Sequence, residues 1–210
     1  MAAVPFIDLP LDKWRWHPSP LAGQVVYALT RSAEGELDVA PKSWIQMAGF
    51  GGPLLSLGCS RRHRTRDNIV STGRFTLSFP TIEQARLARA VADAPRDERV
   101  AVSGLSPEES TSGGVAHLRE CPAYCECELY REVALEGDEV LVLGRITRLA
   151  VHDGVVGAPT RDAYALLAPG FFLEPVVMTG LAPADLTRRR GAGTHPTGRP
   201  EQNAGAPRLP

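Results

Sequence analysis

The densest group of chemically capable residues is a basic segment, Ser60–Asn68, with the sequence SRRHRTRDN. Four arginines fall within six positions, directly before a helical pattern. A helix N-terminus presents unpaired backbone N–H groups, and arginine supplies paired donors that match phosphate oxygens. The hydroxyl groups of Ser60 and Thr65 add further donors. The segment therefore has two interpretations: a cradle for one phosphate monoester, or a solvated basic loop partly balanced by Asp67.

A second candidate is the segment Ala40–Ile45, with the sequence APKSWI. A proline-containing, irregular segment beside a strand leaves backbone donors and acceptors unpaired. These groups suit the edge of a flat heterocycle, where hydrogen-bond donors and acceptors alternate. Trp44 is interpreted either as a surface on which such a ring stacks or as a core residue, and the sequence pattern favours the core.

Three cysteines, Cys121, Cys125 and Cys127, lie within seven residues. Their spacing does not match the C-x2-C pairs of zinc sites. In a strand they would share one face with Leu129. The opposite, wetter face would carry Glu126, Glu128 and Tyr130. Because cysteine is among the most buried residue types, we interpret the three as structural packing and predict no metal site.

Alternating or β-branched composition predicts six strands, at residues 25–31, 37–44, 53–59, 75–80, 121–133 and 139–151. Pro41 fits poorly in a central strand, so the part from 40 to 44 is predicted to be a loop or a strand edge. Segments 46–52 and 94–116 are predicted loops, and 161–181 is an apolar terminal stretch.

Two helices are predicted. The first covers 64–72 and is closed by Gly73, and the second covers 81–93 and opens with the capping-box pair Thr81 and Gln84. Strands that follow one another with few helices between them favour a mainly antiparallel sheet or small barrel over a doubly wound parallel sheet. We therefore expect a mainly β protein with helices.

Composition bounds the class of protein. The 210 residues are 43% apolar and 22% charged, which suits one ordinary globular domain. The net charge of −1 argues against a globally basic nucleic-acid binder. No apolar run is long enough for a membrane span, and the N-terminus lacks the pattern of a signal peptide. We expect a cytoplasmic protein without nucleic-acid or membrane partners. It would comprise an N-terminal arm (1–22), one domain (23–183) and a flexible basic tail (184–210).

Five segments resemble, in this order, the flavin reductase-like proteins with the FMN-binding split β-barrel fold. They are DVAPKSWIQMAGFGGPLLSLGC (38–59), RTRDNIVSTGRFTLSF (64–79), SGLSPEES (103–110), ECPAYCECEL (120–129) and GDEVLVLGRI (137–146). No single motif decides the match, because it is the order of the five that is specific. The resemblance covers roughly residues 20–150.

The resemblance implies a homodimer of Greek-key split β-barrels with FMN, or alternatively FAD, near the subunit interface. The family's ring-lining loop corresponds to Asp38–Ser43, and its phosphate loop precedes the helix that begins near Thr65. No catalytic side chain is assigned, because the cofactor carries the chemistry. The implied cofactor-binding residues are Pro41, Lys42, Ser43, Trp44, Ile45, Ser60, Arg61, Arg62, Arg64, Thr65 and Asn68.

Two positions depart from the family pattern. Where family reductases often have a histidine associated with reduced nicotinamide, this chain has Glu139, whose charge would repel a dinucleotide phosphate. Lys42 replaces the usual aromatic residue of the ring-lining loop. Its charge would either stabilise an anionic reduced flavin or point to solvent.

Three functions remain open. The leading hypothesis is an NAD(P)H-dependent flavin reductase, a flavin-dependent oxidoreductase that supplies reduced flavin to a flavin-dependent monooxygenase. The first alternative is a flavoenzyme with fixed FMN that acts on a specific small organic molecule. The second is a flavin-binding module without turnover.

The double substitution Arg61→Ala with Arg62→Ala tests the phosphate interpretation of the basic segment. A charge-assisted hydrogen bond contributes about 1.5–3 kcal/mol, so loss of the pair should weaken FMN binding by at least about tenfold. Riboflavin, which lacks the phosphate, should lose little affinity. Flavin fluorescence titrations measure both ligands, and equal losses would reject the assignment.

Overall fold

The computed structural model describes Asp8, residues 21–173 and residues 177–180. Apart from Asp8, Leu21 and Ala22, the predicted arm lies outside the described residues, as does the whole of the predicted tail, 184–210. Those two assignments therefore stay predictions. Within the described residues, no helix is both long and apolar enough to cross a membrane.

The described part of the chain is mainly β. The strands are β1 (Ala22–Gln24), β2 (Val26–Arg31), β3 (Leu37–Lys42), β4 (Ile45–Met47), β5 (Leu54–Ser60), β6 (Arg74–Phe79), β7 (Pro107–Glu108), β8 (His117–Leu118), β9 (Ala123–Ala134), β10 (Glu139–Val151), β11 (Gly170–Leu173) and β12 (Val177–Gly180). The α-helices are α1 (Arg64–Thr72), α2 (Ile82–Ala85), α3 (Ala88–Asp93), α4 (Arg99–Ser103) and α5 (Thr160–Leu167).

Seven strands form one antiparallel sheet in the order β3-β2-β6-β9-β10-β5-β4. The edge strands β3 and β4 are consecutive in the chain, joined only by Ser43 and Trp44. Three Cα–Cα steps span at most about 11 Å. A flat sheet of seven strands would hold its edges about 29 Å apart. The sheet must therefore curl until its edges nearly meet, which produces a half-barrel.

The interior of the curled sheet holds the main hydrophobic core. Its fully buried members include Phe75 of β6, Leu57 of β5 and Val142 of β10. Helix α1 closes one end by inserting Ile69 into this core. Beside it, the Asn68 amide donates a 2.9 Å hydrogen bond to Thr30 Oγ1, and both side chains are buried. Helix α1 is thus anchored to β2 by both apolar and polar contacts.

A second core lies on the outer side of β2 and β3. Tyr27, Leu29 and Val39 pack there against Val91 of α3 and the segment around Leu118. A separate three-stranded sheet, in the order β1-β11-β12, packs near α2. Helices α3 and α4 contact β3, the strand that leads into the link formed by Ser43 and Trp44.

Several predicted elements are confirmed. Helix α1 has the predicted bounds and ends at Gly73, whose φ of 71° is left-handed. The Thr81–Gln84 capping box is present, and β10 spans the predicted residues. Pro41 lies in β3, an edge strand of the sheet, the position in which proline is tolerated.

Other predictions need correction. The helix predicted for 81–93 is two short helices, because the chain turns at Arg86–Leu87. Residues 45–47, partly predicted as loop, pair with β5 as the edge strand β4. The segment 94–116, predicted as loop, contains α4 and β7. These helices and strands are short and depend on contacts with the rest of the fold. Their local sequences therefore do not predict them.

The cysteine segment also differs from its prediction. Strand β9 begins after Cys121, which packs in the second core, whereas Cys125 and Cys127 face the barrel interior. Glu126, predicted on a wet face, is only 3% exposed. Its carboxylate accepts hydrogen bonds from the Ser110 and Ser112 hydroxyls and lies 3.6 Å from Arg148. The loop that covers β9 thus satisfies a buried charge.

Substitution of Gly144 should test the packing of the barrel interior. A Cβ atom at Gly144 of β10 would lie 2.4 Å from the ring of fully buried Phe75. Overpacking of this kind costs about 1–3 kcal/mol, so Gly144→Ala should lower the denaturant midpoint. Gly49→Ala is the matched control, because a Cβ there meets nothing within 4 Å. Equal midpoints for the two variants would contradict the expected clash.

Candidate functional site

A cleft of about 540 Å³ lies where the two-residue link passes over β5 and faces α3 and β11. Its volume falls in the range of small-molecule sites, about 300–1,000 Å³. The walls are contributed by Val25, Pro41, Lys42, Ser43, Trp44, Gly58, Cys59, His63, Arg86, Ala88, Arg89, Ala92, Glu139 and Phe172. The cleft is therefore assembled from segments that are far apart in the sequence.

Trp44 forms part of the cleft wall and is 52% exposed. Its backbone carbonyl accepts a 2.8 Å hydrogen bond from the Gly58 N–H group. A Cβ atom at Gly58 would come within 3.0 Å of the Trp44 Cβ, so glycine allows the close approach. The interpretation of Trp44 as a core residue is wrong, since much of its side chain remains accessible.

The other predicted residues of segment 41–45 lie either in the cleft wall or in the sheet. Pro41, Lys42 and Ser43 line the cleft. Ile45 begins β4 and is paired with Leu57 of β5. The structure thus brings four of the five predicted residues of this segment to one cavity and places the fifth beside it.

The polar end of the cleft is built around His63, the residue that precedes α1. His63 Nδ1 lies 3.2 Å from Lys42 Nζ, 3.3 Å from the Ser60 N–H nitrogen and 3.6 Å from Cys59 Sγ. Partial burial, and then the charge of Lys42, lower the pKa of His63. Burial also lowers the pKa of Lys42 and raises the pKa of the Cys59 thiol.

Within the described segment 60–68, only His63 lines the cleft. Arg62 forms a 2.5 Å ion pair with Asp138, and Arg64 forms one of 3.2 Å with Glu36. The remaining predicted phosphate ligands divide by burial: Arg61 is exposed, whereas Ser60, Thr65 and Asn68 are buried. The arginines predicted to form a cradle therefore stand around the N-terminus of α1 rather than inside the cavity.

Sequence reasoning missed a wall of the cleft. Arg86 reaches it from the turn between α2 and α3, and Arg89 from the first turn of α3. Ala88, Ala92 and Phe172 supply apolar surface. The two arginines form ion pairs of 2.8 Å with Glu83 and Asp93. A helical pattern with arginines on its polar face is common, so no local signal distinguished them.

Glu139 also lines the cleft, at the start of β10. It pairs in register with Ser60 of β5, and its side chain is exposed. Its charge acts on His63 and Lys42, raising the pKa of each against the larger effect of burial. Among the described residues, no group of three or more His, Cys, Asp or Glu side chains is placed to hold a metal ion.

Known proteins share this architecture. The nitrilotriacetate monooxygenase component B from Bacillus cereus superposes with a TM-score of 0.73 at 21% identity, covering 86% of this chain and 98% of that one. Flavoredoxin from Methanosarcina acetivorans superposes with a TM-score of 0.71 at 15% identity, covering 91% and 96%. These similarities confirm the split-barrel fold.

Sequence comparison agrees with the structural one. The protein YwrF from Bacillus subtilis (strain 168), described as uncharacterized, is 26% identical over 152 residues, covering 67% of this chain and 72% of YwrF. The family described as "Flavin reductase like domain" matches residues 19–167, which is more than half of the chain. The match contains the β3–β4 link, β5, α3 and the start of β10, which build most of the cleft, whereas Phe172 lies beyond it. This chain therefore belongs to the flavin reductase-like domain family.

Proposed function

We propose that this protein binds FMN in the cleft and acts as an NAD(P)H-dependent flavin reductase. The observation that carries the proposal is the cleft itself. A single cavity of about 540 Å³ combines the accessible side chain of Trp44, the ammonium group of Lys42 and an apolar wall. Family membership points to the same class of cofactor.

The lining of the cleft fits a flavin. The flavin ring is apolar at its benzenoid end and polar at its pyrimidine end. Val25, Ala88 and Phe172 offer apolar contact, whereas Lys42 and Ser43 offer polar groups. Arg86 and Arg89 have side chains that are 64% and 79% exposed, so the rim suits a hydrated phosphate. With the phosphate there, the Arg61→Ala/Arg62→Ala double variant should keep its FMN affinity, which is the opposite of the result expected from the sequence. FMN satisfies this pattern with one phosphate, and FAD is the larger alternative.

Bound flavin would supply the hydride and electron transfer. The residues of this chain bind the ring, orient it and limit the access of water to it. The Gly58 N–H group holds the backbone of Trp44 through its carbonyl, and His63 accepts from the Lys42 ammonium, so both residues have a defined place in the wall. No side chain is required to take up or release a proton in the transfer itself.

The proposal includes a homodimer with the cleft at or near the interface. Met47 at the end of β4 and Phe50 in the loop that follows are both exposed, and Phe50 is fully exposed. Exposed apolar groups beside an open cleft suit coverage by a second subunit. The structural similarity to a monooxygenase component B supports a further partner, a flavin-dependent monooxygenase that takes the reduced flavin.

A second candidate function keeps FMN as a fixed group that acts on a small organic molecule. The specific observation in its favour is Glu139, whose carboxylate lines the cleft where a nicotinamide dinucleotide would bring negative phosphates. Like charges repel, although solvent exposure weakens the effect. If neither a reductant nor an organic substrate reacts with the bound flavin, the protein is a flavin-binding module without turnover.

The absorbance spectrum of purified protein, followed by anaerobic addition of NADH or NADPH, tests the proposal. FMN should bind, and NAD(P)H should reduce it slowly, since Glu139 disfavours the dinucleotide. An exposed charge pair contributes about 0.2–1 kcal/mol, so Glu139→His should lower the Michaelis constant for NAD(P)H by up to about fivefold.

Glu139→Gln is the matched control that removes the charge alone, and it should give part of this gain. A fast wild-type rate with a micromolar Michaelis constant would contradict the role of Glu139 while supporting the reductase. A slow wild type whose two variants are equally slow would favour the organic-substrate function. Failure to bind any flavin would reject the proposal.

A further inference from the structure

Lys42 is a half-buried cation in the wall of the cleft. Its Nζ atom lies 3.2 Å from His63 Nδ1. In the described part of the chain, no carboxylate lies within ion-pair distance of this ammonium group. A partly desolvated charge without a paired counter-charge costs free energy, which a ligand of opposite charge can recover.

His63 fixes both the position and the charge of this group. Its Nδ1 atom faces two donors, the Lys42 ammonium and the Ser60 N–H group. Nδ1 must therefore accept, which places the ring proton on Nε2 and keeps the imidazole neutral. The lowered pKa of His63 agrees with this state. The pair thus carries one positive charge, located on Lys42.

Other charged groups surround Lys42 without pairing with it. Burial is the main cause of its lowered pKa, while Asp38 and Glu139 raise that pKa and Arg99 lowers it. Asp38 is already engaged by Arg96 and Arg99, at 3.3 and 3.6 Å. The charge of Lys42 therefore remains available to a ligand in the cleft.

The position of Lys42 favours contact with the ring of a flavin over contact with its phosphate. Lys42 lies at the polar end of the cleft beside His63, in the same short segment as Pro41 and Trp44, whose rings offer flat surface to a bound ring. A phosphate carries up to two charges and is strongly hydrated, so it is better accommodated at the exposed rim by Arg86 and Arg89. The half-buried ammonium suits a weaker, delocalised negative charge.

We propose that Lys42, positioned by His63, pairs with the negative charge that the flavin ring gains on reduction, so that the protein binds reduced FMN more tightly than oxidised FMN. This inference rests on the proposed flavin site. A neutral oxidised ring that accepts one hydride, two electrons and one proton from NAD(P)H, acquires one negative charge, and NAD(P)⁺ leaves. A fixed cation stabilises the charge that develops.

Lys42→Met tests the inference, because it keeps the length of the side chain and removes the charge. Dissociation constants are measured for oxidised FMN by fluorescence and for FMN reduced anaerobically with dithionite, together with the midpoint potential. Reduced FMN should bind at least about tenfold more weakly, and oxidised FMN should change less than about threefold. Each tenfold difference lowers the two-electron midpoint potential by about 30 mV. Lys42→Arg, which keeps the charge, should stay near the wild type.

The outcomes separate the inference from the function on which it rests. Equal losses for oxidised and reduced FMN would overturn the inference alone. Losses for FMN without losses for riboflavin would place Lys42 at the phosphate and overturn it as well. A wild-type protein that binds no flavin would reject the proposed function, and the inference with it.

The positioning role of His63 is tested by two further variants. His63→Gln keeps an acceptor for the Lys42 ammonium and should retain most of the wild-type potential. His63→Leu removes the acceptor and should shift the potential toward that of Lys42→Met. Circular dichroism spectra and thermal midpoints confirm that both variants are folded. Wild-type potentials in both variants would overturn the positioning role.

Discussion

Closure of a seven-stranded sheet by two residues is the constraint on which the rest of this structure depends. Ser43 and Trp44 join strands that lie at opposite edges of the sheet. Because so short a link reaches at most about 11 Å, the sheet has to curl, and the curl creates the enclosed core that contains Phe75 and Leu57. The same link then runs over the outside of β5, where it forms one wall of the cleft.

Two glycines allow the link to pass this close to the neighbouring strands. A Cβ atom at Gly23 would lie 1.9 Å from the Ser43 carbonyl oxygen, and one at Gly58 would meet Trp44. Any larger residue at these positions would push the link away from the strands beneath it. Barrel closure and the geometry of the cleft therefore depend on the same close contacts.

The passage of the link over β5 also sets the position of the positive charge in the cleft. Lys42 is the last residue of β3 before the link, and it lies beside the N-terminus of α1, where His63 accepts a hydrogen bond from it. Arg62 and Arg64 lie within two residues of His63 but point to Asp138 and Glu36 instead. The half-buried ammonium group of Lys42 therefore acts on a bound ligand more strongly than the exposed guanidinium groups of Arg62 and Arg64, because solvent screens exposed charges.

The sequence alone determined the elements whose signals are local. Helix α1 ends where Gly73 allows a left-handed turn, the Thr81–Gln84 box opens α2, and β10 alternates along its full predicted length. The order of five segments also indicated the family and, with it, the approximate place of the site. Helix 81–93 was predicted as continuous because its apolar spacing hides the turn at Arg86.

Only the tertiary structure decided which residues share the cleft. Phe172 and Arg89 are separated by more than eighty positions, and neither has a local feature that marks a binding residue. Asn68, one of the implied cofactor-binding residues, is buried and donates a hydrogen bond to Thr30 inside the fold. From the sequence, the side chain of Lys42 could be placed either against a bound flavin or in solvent. Closure of the barrel sets its direction, because it fixes the link against β5 and brings His63 within hydrogen-bond distance.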